Sequence, residues 1–171
     1  MKLTFTSQDI DKVPAELMLL MHFEGEVPFQ DLLGKLDWRI NGRLSRFVQN
    51  NQFQGKAREL LLMPGENRFK AREVMLLGLG ARQNFQQDHV SQVLDFFFQT
   101  LQKKGITQSC LSLYSLLPTE FEWRNIVRLM ISKWIDYKSI QEVILREPAN
   151  LIRDIKRRQI DFGHQVRIEY Q

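Results

Sequence analysis

Along this chain the spacing of apolar residues changes period several times. Leu3 to Thr6 alternates apolar and polar side chains as a short strand does. Leu17 to Phe23, LMLLMHF, is continuously apolar, the pattern of a strand covered on both faces. Gly25 and Pro28 then punctuate a turn. From about residue 30 to residue 50 the repeat lengthens: Leu33, Leu36, Ile40, Leu44 and Phe47 form one helical stripe. Lys35, Arg39, Arg43 and Arg46 follow the same spacing on another face, and Asn50 and Asn51 supply a stop.

The alternation of element types continues. ELLLM (Glu59 to Met63) and EVMLLGLG (Glu73 to Gly80) predict two strands with a turn at Pro64 and Gly65. Asn84 and Gln87 have the spacing of a capping box. The helix they open turns Val90, Val93, Leu94, Phe97, Phe98 and Leu101 inward and ends at Gly105. CLSLYSLL, from Cys110, reads as a strand, and Pro118, Thr119 and Glu122 open a further helix through a second capping-box pattern. That helix carries Trp123, Ile126, Val127, Met130, Trp134 and Tyr137 on its apolar face. Ile140 to Leu145 predicts a strand, Pro148 a short helix start, and HQVRIEY (His164 to Tyr170) a last, edge strand.

Strands interleaved with helices predict an α/β fold, a three-layer α/β/α sandwich around a mixed, mostly parallel sheet. No linker or repeat divides the 171 residues, so one domain is expected. Its core spans about 15–147, and a helix-strand extension covers 148–171.

Composition adds limits. A hydrophobic fraction of 43% supports a real core, and 26% charged residues is ordinary for a soluble protein. The net charge of +4, with a pI near 9.3, points only weakly toward nucleic acid. The single cysteine, Cys110, excludes an internal disulfide, and its apolar run suggests a buried thiol. The N-terminal MKLTFTSQDI has no apolar signal core, and no run reaches the ~18 apolar residues of a membrane span. A reducing cytoplasmic setting away from the membrane is the expectation.

Candidate chemistry is sparse. His22, His89 and His164 have no partners at metal-ligand spacing, so no metal or cofactor is expected. Ser45, Ser112 and Ser115 lie in no nucleophile-elbow pattern, so no catalytic residue is assigned. Gly78-Leu79-Gly80 falls between a strand and a helix with Arg82 close behind, the place for a phosphate cradle. The third glycine of a dinucleotide fingerprint is replaced by Gln83. Arg39, Arg43 and Arg46 form a basic face that suits a nucleic acid or another anion, and Arg153, Lys156, Arg157 and Arg158 form a second cluster. No aromatic residue interrupts that stripe, and Trp38 is placed beside the core. Phe96, Phe97 and Phe98 cannot all face one core, which implies a wide buried surface or contact with another chain.

The segment from Leu36 to Phe85 resembles the N-terminal domain of the leucyl, or cytosol, aminopeptidase family. Asn41-Gly42, Leu44-Ser45, Phe53-x-Gly55-Lys56 and Gly78-Leu79-Gly80 occur in the same order and spacing. The resemblance covers roughly 15–120. It implies a macro-domain-like fold, and macro domains bind ADP-ribose. It also implies that peptidase chemistry is absent. In that family two metal ions sit in a separate C-terminal domain, on carboxylates and a lysine, with the motif Asn-Thr-Asp-Ala-Glu-Gly-Arg. These residues contain no such motif. Some family members bind DNA, and the family is hexameric through its catalytic domains. The expectation is therefore a non-catalytic domain engaging a protein partner or another copy of itself. Small-molecule and nucleic-acid binding are the alternatives.

Overall fold

The computed structural model describes residues 1–114, 121–158, 162 and 166–171. Its strands are β1 (Lys2–Thr6), β2 (Ala15–His22), β3 (Leu60–Pro64), β4 (Ala71–Gly78), β5 (Gln108–Leu111), β6 (Glu142–Arg146) and β7 (Arg167–Tyr170). They form one sheet in the order β3-β4-β2-β5-β6-β1-β7. Every neighbouring pair is parallel except β3 and β4. The helices are α1 (Asp31–Arg39), α2 (Arg43–Gln49), α3 (Gln87–Lys104), α4 (Trp123–Trp134) and α5 (Ala149–Arg158).

The unbroken apolar run of β2 follows from burial on both sides. Leu17, Leu19 and Met21 join one core with Phe97, Phe98, Val127, Trp134 and Ile155 from α3, α4 and α5. Met18 and Leu20 join a second core with Leu36 of α1 and Leu44 of α2. Alternate residues of a strand point to opposite faces, so such a strand has no polar side to show. The result is the expected α/β/α sandwich, and β7 extends it as an edge strand beside β1.

The phenylalanine triplet is absorbed by width. Phe97 and Phe98 are both fully buried. Phe98 stacks on Trp134 at 6.5 Å and on Tyr137 at 5.6 Å between ring centroids, while Phe96 is half-buried. Burial of each large side chain contributes about 1.5–3 kcal/mol. The Trp134 indole N–H donates to the Ile140 carbonyl at 2.9 Å, so the ring carries no unpaired donor into the core.

Three local expectations are corrected. The single helix expected over 30–50 is two helices, broken at Asn41 (φ 56°) and Gly42 (φ 71°). Both adopt the left-handed conformation that ends a helix. Asp37 then starts α2: its Oδ1 accepts the Leu44 N–H at 2.7 Å and the Ser45 N–H at 3.2 Å. Helix α3 is capped by Gln86 and His89 rather than Asn84 and Gln87, with the Gln86 N–H donating to His89 Nδ1 at 2.9 Å. Asn84 instead closes a short 3-10 turn from Arg82. Strand β5 stops at Leu111, well short of the predicted CLSLYSLL. Ser115, Pro118, Thr119 and His164 lie outside the described residues. Among the described residues no helix is long and apolar enough to cross a membrane.

Candidate functional site

The chain leaves β2 toward β4 on one side and leaves β5 toward β6 on the other. This reversal opens a crevice at the carboxyl ends of adjacent parallel strands, where ligands of open α/β sheets bind. A cleft of about 410 Å³ lies there, lined among others by His22, Phe23, Glu26, Phe29, Arg82 and Ser112.

His22 ends β2 and is buried, with its ring edge-on to Phe29 at 4.6 Å. Burial pushes its pKa below the usual 6.5; Glu26 opposes that shift and Arg82 adds to it. The imidazole is therefore held neutral. Arg82 sits over the Phe23 ring, its guanidinium carbon 4.1 Å from the ring centroid. It donates two hydrogen bonds to Glu26, one of them Nη2 to Oε2 at 2.9 Å. That pairing lowers the Glu26 carboxyl below its ordinary range and raises the Arg82 guanidinium. Among the described residues, no hydrogen bond joins the His22 ring to a cysteine or a carboxylate. The lining thus combines aliphatic side chains with Phe23, Phe29 and the neutral His22 ring, and its cation Arg82 is already neutralised by Glu26.

Of the three residues assigned to a phosphate cradle, only Arg82 reaches this cleft. The N–H groups of Gly78, Leu79 and Gly80 donate to Glu59 O at 2.8 Å, His22 O at 2.9 Å and Gly55 O at 2.8 Å. These three amides are therefore not left for an anion. A Cβ on Gly78 would lie 2.1 Å from the Lys56 carbonyl oxygen, and one on Gly80 (φ 76°) would lie 3.2 Å from Ala57 Cβ. The chain's own Gly55–Ala57 segment therefore fills the space expected for phosphate, and the two glycines serve close backbone packing.

The basic stripe is likewise divided. Arg39 pairs with Asp11, Arg43 with Glu66 at 2.6 Å, and Arg46 donates to the Asn41 carbonyl at 2.6 Å. The two-helix break sends Arg39 to the side of the first loop, while Arg43 and Arg46 line a hollow with Arg68.

Two groups escaped the sequence reading. Trp38 is 81% exposed, not beside the core, and stands between hollows shared with Phe29, Gly34 and Arg39. The signal was present: Trp38 follows the buried Leu36 by two positions, about 200° around a helix. Glu147, just past β6, is fully buried and accepts the Leu113 N–H at 2.7 Å and the Tyr114 N–H at 3.1 Å. Burial pushes its carboxyl up to about 8, against the pull of those backbone bonds. It anchors the turn that follows Ser112, and only the fold brings the two segments together. Cys110 is buried, which pushes its thiol up to about 12. Among the described residues, no three His, Cys, Asp or Glu side chains are grouped as metal ligands.

Residues 20–132 match the family model described as the N-terminal domain of the cytosol aminopeptidase family. A probable cytosol aminopeptidase of Alkaliphilus oremlandii is 27% identical over 90 residues, which are 53% of this chain and 18% of that protein. The chain thus spans about a fifth of the length of the curated relatives it matches. Among solved structures, a tomato leucine aminopeptidase superposes with a TM-score of 0.62 at 14% identity, covering 91% of this chain and 35% of that one. The Trypanosoma brucei macrodomain gives 0.69 at 10% identity over 91% and 66% of the two chains. The same macrodomain in complex with ADP gives 0.65 at 12% identity over 84% and 62%. These likenesses establish a macrodomain-like α/β fold, and the match over residues 20–132 places the chain in the cytosol aminopeptidase family, through that family's N-terminal domain.

Proposed function

We propose that this chain is a non-catalytic cytoplasmic binding module that docks onto another protein. The observation that carries the reading is Trp38, 81% exposed on α1 above a hollow that includes Phe29, Arg39 and Arg68. Tryptophan and arginine are the residue types most enriched at the energetic centres of protein interfaces. The match to an N-terminal domain alone supports the non-catalytic half. The test is affinity capture from the native cell extract with wild-type and Trp38→Ala baits. A partner recovered stoichiometrically by the wild type and lost with Trp38→Ala supports the reading. Equal recovery by both baits, or no partner at all, contradicts it.

A second reading is favoured by the cleft at His22 and Arg82. Its position in the fold, the Phe23 and Phe29 rings in its lining and the ADP complex of a macrodomain of similar fold support a nucleotide-type ligand. Such a ligand's phosphates would have to compete with Glu26 for Arg82. ADP and ADP-ribose should then raise the melting temperature in a dose-dependent way. An unchanged melting curve with both counts against this reading.

A further inference from the structure

β3 is an edge strand with few of the devices that keep edges from pairing. It is outermost in the sheet and antiparallel to β4. Leu60–Pro64 reads LLLMP and contains no charge. Leu60 is 38% exposed and Leu62 39%. Soluble proteins blunt such edges with lysines, bulges or a covering segment. Here only Pro64, at the end of the strand, interrupts the row of donors.

The ladder decides which backbone groups face outward. The Gly78 N–H donates to Glu59 O, and the Gly65 N–H to Arg72 O, so the odd-numbered residues turn toward β4. Alternation along an antiparallel strand then turns the N–H and C=O of Leu60 and Leu62 away from the sheet. Their side chains share a sheet face with Leu77 and Met75, their partners in β4. On that face an apolar notch lined in part by Leu77, Val93 and Phe96 adjoins the strand.

We infer that β3 is a self-association surface on which two copies of this chain pair antiparallel about a two-fold axis at Leu61. In that register Leu60 of each copy faces Leu62 of the other. The two exchange N–H···O=C bonds in both directions, so every outward group of both leucines is met. Moving the axis to Leu62 would set Pro64 opposite Leu60 and leave the Leu60 carbonyl without a donor. The same register makes two leucine pairs across the new junction, next to the notch, and opposes Leu61 to Leu61 on the other face. A foreign strand could satisfy the backbone, but the self-matching of leucines and proline in this register belongs to a second copy. One short strand from each copy makes a small junction, so association depends on concentration. This inference is independent of the Trp38 reading.

The test is sedimentation across a wide concentration series, with hydrogen exchange of the peptide spanning residues 59–65 followed in parallel. The wild type should approach twice 20.3 kDa at high concentration, with exchange slowing at the Leu60 and Leu62 amides. A Leu60→Lys/Leu62→Lys double variant should stay monomeric at every concentration, and Trp38→Ala should associate like the wild type. A constant monomer mass, or wild-type exchange at these amides that ignores concentration, overturns the inference without reliance on any variant. So does a dimer that survives the double lysine change. If Trp38→Ala abolishes association while the double variant keeps it, the β3 pairing is wrong and docking through Trp38 stands.

Discussion

Arg82 and Glu26, 56 residues apart in sequence, are joined by two hydrogen bonds beside the cleft at the end of β2. Both side chains are about half exposed, so the pair contributes only about 0–1 kcal/mol to stability. Its larger effect is on what the cleft can accept, because it neutralises the cation there. Glu26→Gln should leave the melting temperature nearly unchanged and, on the nucleotide reading of the cleft, give tighter ADP binding than the wild type, which calorimetric titration would read. On the same reading Arg82→Ala should show no ADP binding. Weaker ADP binding by Glu26→Gln would show that the pair does not compete with the ligand.

Backbone packing at Gly78 makes a different prediction. A methyl group there would meet the Lys56 carbonyl oxygen at 2.1 Å. Gly78→Ala should therefore destabilise the fold by about 1–3 kcal/mol, the usual cost of overpacking. Gly80→Ala should cost about 1–2 kcal/mol, because its φ of 76° is left-handed. Urea unfolding measures both. Unchanged midpoints would mean that the Gly55–Ala57 segment does not sit against the turn.

Glu147 should give the stability a distinctive pH dependence. Its carboxyl stands at about 8 in the folded chain against an ordinary 4.5. Between those values the folded chain keeps a proton that the unfolded chain releases, so stability falls as pH rises through that window. His22 acts in the opposite sense. Its folded pKa lies below 6.5, so stability falls as pH drops below 6.5. Comparing Glu147→Gln with the wild type from pH 5 to pH 9 isolates the first effect. The variant's unfolding free energy should be flatter toward alkaline pH. Parallel curves would place the Glu147 pKa near its ordinary value.

The sheet was legible because burial on both faces leaves an unbroken apolar run, as in β2, and because helical stripes such as that of α4 bury one face. The break at Asn41 and Gly42 was masked by the stripe itself: Leu36 and Leu44 enter the same core from two separate helices. The cleft was far less legible. His22, Glu26 and Arg82 come from the end of one strand, the turn after it and the turn after β4, and no local spacing links the last to the first two. Gly78-Leu79-Gly80 illustrates the ambiguity of glycine. It marks a close approach of backbone to something, and here that something is residues 55–57 of the same chain.

The most direct test of a binding module without chemistry is hydrolysis of a leucyl-amide substrate by the purified chain, with added manganese or zinc and with a chelator. The account predicts release no faster than buffer in every condition. Turnover that requires the metal, vanishes with the chelator and scales with protein concentration would contradict it.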